Sequence, residues 1–270
     1  MFDFPAPNSA RPEGSARALV EHSLLQCKRL LLRWSRDPTT MIQALLYPAL
    51  TLVMFRLVLG DSVTAATGQP AIYGNVPLIA LVGAMFGSVV SAVGLKLERK
   101  NGLLSRFWTL PVHRASGLVG RMLAEAVRVF VTTLLIVAVG MVLGFRFNQG
   151  VLAAVAMLLL PVLFGMGFAV MVTALATVAG DAPLVELVSI VATLLMFFNS
   201  GFVPVFAYPA WLQPIVQYQP MSCAVDAMRG LSLGGPVLEP LLLTAAWSLG
   251  MIALFLYPAI RGYRRAAASG

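Results

Sequence analysis

VPLIALVGAMFGSVVSAVGL, residues 76–95, is an uncharged run of twenty residues, and the next stretch, KLERKNGLLSRFWTLPVHRASG, residues 96–117, carries five Lys/Arg and one Glu. From Leu118 the chain turns apolar again. An apolar run of about 18 residues or more is long enough, as a helix, to cross the ~30 Å hydrocarbon layer of a bilayer. Inside hydrocarbon each backbone N–H and C=O must be satisfied within its own segment, and a helix does that. The alternating apolar–polar pattern of a membrane barrel is absent. The predicted fold is therefore all-α and polytopic, and residues 96–117 are a basic connection between two spans.

Working outward, the same criterion predicts six transmembrane helices: Met41–Leu59, Val76–Leu95, Leu118–Phe145, Val151–Val178, Leu184–Val203 and Leu238–Ile260. They make one domain, residues 41–260. Pro161 in the fourth span predicts a tilt or kink. The whole chain agrees with this class, being 59% hydrophobic and 11% charged, against roughly 25% charged in a soluble domain.

A net charge of +8 raises the possibility of nucleic acid, but its distribution points elsewhere. Six Lys/Arg precede Met41, seven lie from Lys96 to Arg128, and three follow Ile260. With six spans, these three segments fall on one side of the membrane. The positive-inside rule makes that side cytoplasmic, with both termini inside an inner, multi-pass membrane location. No signal peptide is visible, and the first span is expected to act as an uncleaved anchor. Cys27 and Cys223 fall on opposite sides, which argues against an internal disulfide.

Residues 1–16 are rich in Pro, Ala and Ser and predict a disordered tail. Residues 17–37 predict an amphipathic helix. Val20, Leu24, Cys27, Leu31 and Trp34 recur at helical spacing, with His22, Gln26, Arg29, Arg33 and Arg36 on the opposite face. A basic face and an apolar face suit a helix lying in the membrane interface. Pro38 is expected to end it, with Thr39 or Thr40 capping the next helix.

Residues 204–236 form an external segment whose prolines at 204, 209, 214 and 220 forbid one helix. Two short interfacial or re-entrant helices are expected, with Tyr208, Trp211 and Tyr218 at the boundary. Residues 261–270 form a second tail.

A P-loop needs Gly-Lys-Ser/Thr, and none of the three lysines, Lys28, Lys96 and Lys100, follows a glycine. His22 and His113 have no partners at metal or triad spacing, so no catalytic and no metal residues are assigned. Within the basic connection, Gly102 permits a turn and Leu103–Trp108 reads as a short helix stopped by Pro111. Leu103, Leu104, Phe107 and Trp108 around Arg106 make a knob suited to a partner's cleft; the plainer reading is a basic loop that only sets topology. Arg121, Glu125 and Arg128 sit at i, i+4 and i+7, so Glu125 can pair with either arginine. Glu186 and Asp181 lie near the inner end of the fifth span, either one placed to pair with a basic group of another chain, a neighbouring subunit or a partner protein. Arg56 is expected to reach Asp61. Gly83, Gly87 and Ser91 form a small-residue stripe that allows close helix packing.

The runs ERKNGLLSRFWTLPVHRASGLVGR and NSGFVPVFAYPAWLQPIVQYQPMSCAVDAMRG resemble the corresponding segments of ABC-2 type permeases, of the daunorubicin-resistance (Drr) group in particular. VLGFRFNQG, GGPVL and the terminal GYRRA extend the likeness from about Leu19 to the C-terminus. The resemblance implies a type V exporter-like fold and a transport subunit rather than an enzyme. Two ABC ATPase subunits would carry ATP and Mg, and a second permease, identical or homologous, would complete a complex, with a heterodimer expected. It also implies that Glu98, Arg99, Lys100, Gly102, Arg106, Phe107, Pro111 and Arg114 couple to the ATPases, helped by Arg29, Arg33, Trp34 and Arg36. Asn199, Gly201, Pro204, Trp211, Pro220 and Arg229 belong to the external segment the family shares. The implied cargo is a complex cell-wall lipid of the phthiocerol dimycocerosate type, with an anthracycline-type drug as the alternative. No nucleic acid is implied.

Two other classes compete. A membrane-embedded lipid-modifying enzyme needs clustered carboxylates or histidines at the bilayer surface, and Asp181 with Glu186 is the nearest approach. An ion-coupled transporter needs ionisable groups in series across the spans, and the sequence has no such series.

Overall fold

The computed structural model describes residues 15–42, 46–58, 60–108, 112–178 and 184–268. Expectations for Pro111, Asp181, the side chains of Phe107 and Trp108 and most of the N-terminal tail fall outside the described residues. In chain order the helices are α1 (Ala16–Arg36), α2 (Pro38–Met41), α3 (Tyr47–Val58), α4 (Gly60–Thr67), α5 (Ile72–Lys100), α6 (Leu103–Trp108), α7 (Ser116–Val142), α8 (Gly150–Val178), α9 (Leu184–Phe197), α10 (Gln213–Tyr218), α11 (Pro220–Leu233) and α12 (Leu238–Ala268). The fold is all-α.

Four of these, α5, α7, α8 and α12, are long and apolar enough to cross a membrane, while α3 and α9 are shorter apolar helices. α5 stands at the centre: 61% of its apolar window is buried, against 11% for α12 on the flank. The core is built on Leu78, Leu81 and Met85 of α5, Ile136 of α7 and Phe164 of α8.

Several boundaries differ from the expected spans. α5 runs without interruption through Lys96–Lys100, so the first part of the basic insert is helix and the true connection is shorter. Lys, Arg and Glu are good helix formers, and nothing before Asn101 breaks the pattern. α9 stops at Phe197 because Asn199 turns the chain: its Oδ1 accepts the N–H groups of Gly201 and Phe202 at 2.8 and 3.0 Å. Pro38 does not merely end α1; it is the first residue of α2, where its missing N–H costs nothing. Thr39 and Thr40 therefore lie inside that helix rather than capping one. α8 runs as one helix through Pro161.

Pairings across the bundle give each helix a direction. Lys96 of α5 meets Glu186 at the start of α9, and Leu95 packs with Leu104 of α6 and Tyr263 and Ala266 of α12. That is the basic end. At the other end the Asn148 N–H donates to Ser232 O at 2.9 Å, and Phe55 of α3 meets Phe202 edge-on. Both described termini thus lie at the basic end.

Close packing at two glycines sets helix distances. A Cβ at Gly167 of α8 would sit 2.8 Å from Ser248 O on α12, and one at Gly87 of α5 would overlap the Arg128 guanidinium of α7. The small stripe on α5 therefore serves packing inside this chain. The proline-rich segment gives a single 3₁₀ turn at Val205–Ala207, then α10 and α11. α11 is no surface helix: Met221, Cys223, Val225 and Met228 are buried in the bundle core.

Candidate functional site

The basic end is organised by one carboxylate. Glu98 lies on the last turns of α5, is 5% exposed, and faces α1 and α7. Arg121 Nη2 of α7 donates to its Oε2, and Arg33 Nη1 of α1 donates to Oε1 at 3.1 Å. Arg29 Nη2 stands 3.6 Å from the same oxygen. Burial draws the Arg29 guanidinium below its ordinary value, and Glu98 pulls it back up. Arg121 also donates from Nη1 to Ser91 O at 3.1 Å. One acid thereby joins three helices, and removing one member of such a buried group leaves its partners charged in a poor solvent.

One turn and a half deeper, a second pair repeats the theme. Arg128 Nη2 and Nε donate to Glu125, the latter at 3.2 Å, and Ser88 Oγ donates to Glu125 Oε1 at 2.6 Å. The predicted choice for Glu125 is thus resolved: it takes Arg128, because Arg121 is engaged by Glu98.

α1 lies along α7 by a face that takes Cys27 from the predicted apolar stripe and adds Ser23, which lay outside that stripe. Ser23 and Cys27 are buried there, and a Cβ at Gly120 of α7 would come within 2.7 Å of Ser23 O. Val20, Leu24 and Leu25 stay more than half exposed. The His113 N–H donates to His22 Nδ1 at 3.1 Å, so α1 is fastened to the connection after α6 as well.

The predicted coupling residues therefore divide. Arg99, Lys100, Arg106, Arg114 and Arg36 are exposed at the basic end, and Gly102 makes the turn at φ +67°. Glu98 and Arg29 point inward, and Arg33 leans on Glu98 with most of its side chain in the open. Of the expected apolar knob, Leu104 is buried against α12, because α6 lies on the end of that helix. Glu186 pairs within the chain, with Lys96 Nζ at 3.8 Å, rather than waiting for another subunit. Arg56 does reach Asp61, at 3.3 Å.

At the opposite end a second polar group forms. Arg229 Nη1 donates to Asp226 Oδ1 at 3.2 Å and Nη2 to Ser200 O at 2.9 Å, while Ser200 Oγ donates to Asp226 at 2.9 Å. Asn199 and Gly201 are brought onto this cluster, with Gly74 of α5 pressed so close that a Cβ would lie 2.8 Å from Gly201 O. Pro204 precedes the 3₁₀ turn and Pro220 opens α11. Trp211 is 72% exposed. His22, Ser88, Asp226 and Tyr263 were missed as members of these groups. Only the helical spacing of His22 among the basic residues hinted at a role.

The ABC-2 type transporter family matches residues 24–233. A doxorubicin-resistance ABC transporter permease, DrrC, of Mycobacterium tuberculosis is 45% identical over 94% of this chain and 92% of its own length. The daunorubicin-resistance permease DrrB1 of Streptomyces coeruleorubidus is 29% identical, covering 93% of this chain and 89% of its own. The transport permease ycf38 of Porphyra purpurea is 26% identical over 84% and 77% of the two chains. With its apolar helix bundle, its exposed basic end and these relatives, this chain belongs to the ABC-2 type transporter family, as an integral membrane transport subunit and not an enzyme.

Proposed function

We propose that this chain is the permease subunit of an ATP-driven exporter that moves a hydrophobic or amphiphilic molecule out of the cytoplasmic membrane. The basic end faces the cytoplasm, following the positive-inside rule. Two ABC ATPase subunits bind there and carry ATP and Mg, and a second permease completes the pathway. The observation that supports coupling most is the Glu98 group. A push on α1 or on the exposed residues Arg99 and Lys100 passes to α5 and α7 through the ion pairs that meet at the buried Glu98 carboxylate. The cargo we favour is a complex cell-wall lipid of the phthiocerol dimycocerosate type. The apolar bundle supports a cargo that asks for few polar ligands.

The test is transport in vesicles holding the permeases and their ATPases. Lipid appearance in the outer leaflet should require hydrolysable ATP. Arg99→Glu with Lys100→Glu should reduce it several-fold while leaving insertion intact. Normal ATP-driven export in that double variant would refute the coupling role. A second reading, efflux of an anthracycline-type drug, is favoured by the names of the Drr relatives. The same vesicles loaded with drug in place of lipid separate the two.

A further inference from the structure

A cavity of about 700 Å³ lies between α9 and α12. Met85 of α5 and Phe164 and Phe168 of α8 are buried and form its floor. Val188 and Val191 of α9 make one wall, and Gly250, Met251 and Leu254 of α12 make the other. Val191 and Leu254 are exposed, so the cavity opens sideways between the two helices. Its volume is that of a small-molecule site, typically about 300–1,000 Å³.

The lining states what such a site accepts. Among the described residues that line it, none is charged. The one side-chain N–H or O–H, the Trp247 indole, already donates to Tyr218 O at 3.0 Å. A charged or hydrogen-bonding head finds no partner here, and burying one unpaired is unfavourable. Depth points the same way. Met85 and Phe164 stand near the middle of α5 and α8, each 29 residues long and apolar enough to cross a membrane. The cavity is therefore near the midplane of the ~30 Å hydrocarbon layer. A phospholipid is anchored by its head at the water boundary and brings only chain ends to that depth. A lipid without a polar head can lie there whole. Shape favours a chain over a compact ring system: from Leu243 to Phe255 the lining face of α12 runs for roughly 18 Å at 1.5 Å per residue. Met85, Met171 and Met251 add flexible thioethers that adjust to an irregular chain.

We infer that the cavity between α9 and α12 binds an uncharged long-chain lipid of the wax-ester kind, which enters sideways from the bilayer midplane. This deepens the proposed export function by locating a cargo site and stating its chemistry, and it rests on that reading for its purpose. Gly250 keeps the cavity open. A Cβ there meets nothing within 4 Å, so a large side chain at this position extends into the empty space.

The experiment uses the full-length chain in nanodiscs with two photoreactive probes, a long-chain wax ester and a phosphatidylcholine, each carrying a mid-chain diazirine. Mass spectrometry maps the adducts. The wax ester should label Val191, Met251 and Leu254 about tenfold more than Leu134 and Leu159, which are exposed but lie outside the cavity. Excess unlabelled wax ester should remove that preference, and phosphatidylcholine should not show it. Gly250→Phe should abolish the preference by filling the space. Val191→Phe narrows the cavity from the other wall and should lower labelling at Met251 and Leu254. Leu249→Phe, on α12 but outside the cavity, should leave labelling intact. Even labelling inside and outside the cavity, equal preference by the two probes, or unchanged labelling in both cavity variants would overturn the inference. So would displacement of the probe by an anthracycline but not by wax ester. Loss of chain–chain association in Gly250→Phe with labelling unchanged would mark the face as a subunit contact and overturn it too. No ATP or ATPase enters the measurement, so its failure leaves ATP-driven export standing, and loss of export leaves this binding standing.

Discussion

Arg33, near the end of α1, donates from Nη1 to Glu98 Oε1 of α5 across sixty-five positions of sequence. The arginine is largely in the open, with its side chain 61% exposed, and the carboxylate is almost wholly enclosed, at 6%. An exposed arm thus ends on a buried anchor. Exposed ion pairs contribute about 0–1 kcal/mol, whereas removing one partner of a buried pair costs about 3–5 kcal/mol.

Glu98→Ala should accordingly destabilise the chain by about 3–5 kcal/mol, with Arg121 left charged and enclosed. Arg33→Ala should cost at most about 1 kcal/mol. Heat-induced unfolding in detergent reads the difference, and hydrogen exchange should show α1 opening first in the Glu98 variant. Equal costs for the two would mean that Glu98 is not the anchor.

His22→Ala removes the acceptor of the His113 N–H and should cost about 1 kcal/mol. The effect should be local, with faster exchange at His113 and along α1 and none in α8 or α12. An unchanged rate at His113 would contradict the fastening role.

Gly167→Ala should push α8 from α12, because the new Cβ meets backbone at Ser248, which cannot swing aside. Gly94→Ala is the matched control, since nothing lies within 4 Å of its position. In a helix interior that change should be neutral or stabilising by about 0.5–1 kcal/mol. The two melting temperatures should therefore move in opposite directions.

Burial raises the Asp226 carboxyl above its ordinary value, with Arg229 and the Ser200 hydroxyl pulling the other way. The folded chain then holds this proton more tightly than the unfolded one. The contribution to stability is full below the unfolded value and is lost as pH rises through the folded value. As pH rises above the ordinary aspartate value of about 3.9, the stability of the parent relative to Asp226→Asn should fall. A difference that stays flat or rises would refute the direction.

Much of this was legible from residue type and order. The long uncharged runs announced apolar helices, and the Lys/Arg clustering matched the end at which both described termini and the loop lie. Arg56 and Asp61 were a readable pair because they are close in sequence. Glu98 was readable as a charge but not as a buried one, because its partners come from two other helices, α1 and α7. The apolar stripe on α1 was visible too, and its Cys27 does face α7, but Ser23 joins it while Val20 and Leu24 stay exposed, since Gly120 lets backbone approach backbone there.

Composition and periodicity are local properties of a chain, and they were enough to establish an all-helical membrane protein with several apolar helices and a charge asymmetry. Which arginine neutralises which acid, where a cavity opens between two helices, and whether a charged residue faces water or its own helices depend on contacts between segments far apart in sequence. Those contacts are set by packing in three dimensions, where one glycine or one buried carboxylate decides how near two helices can come.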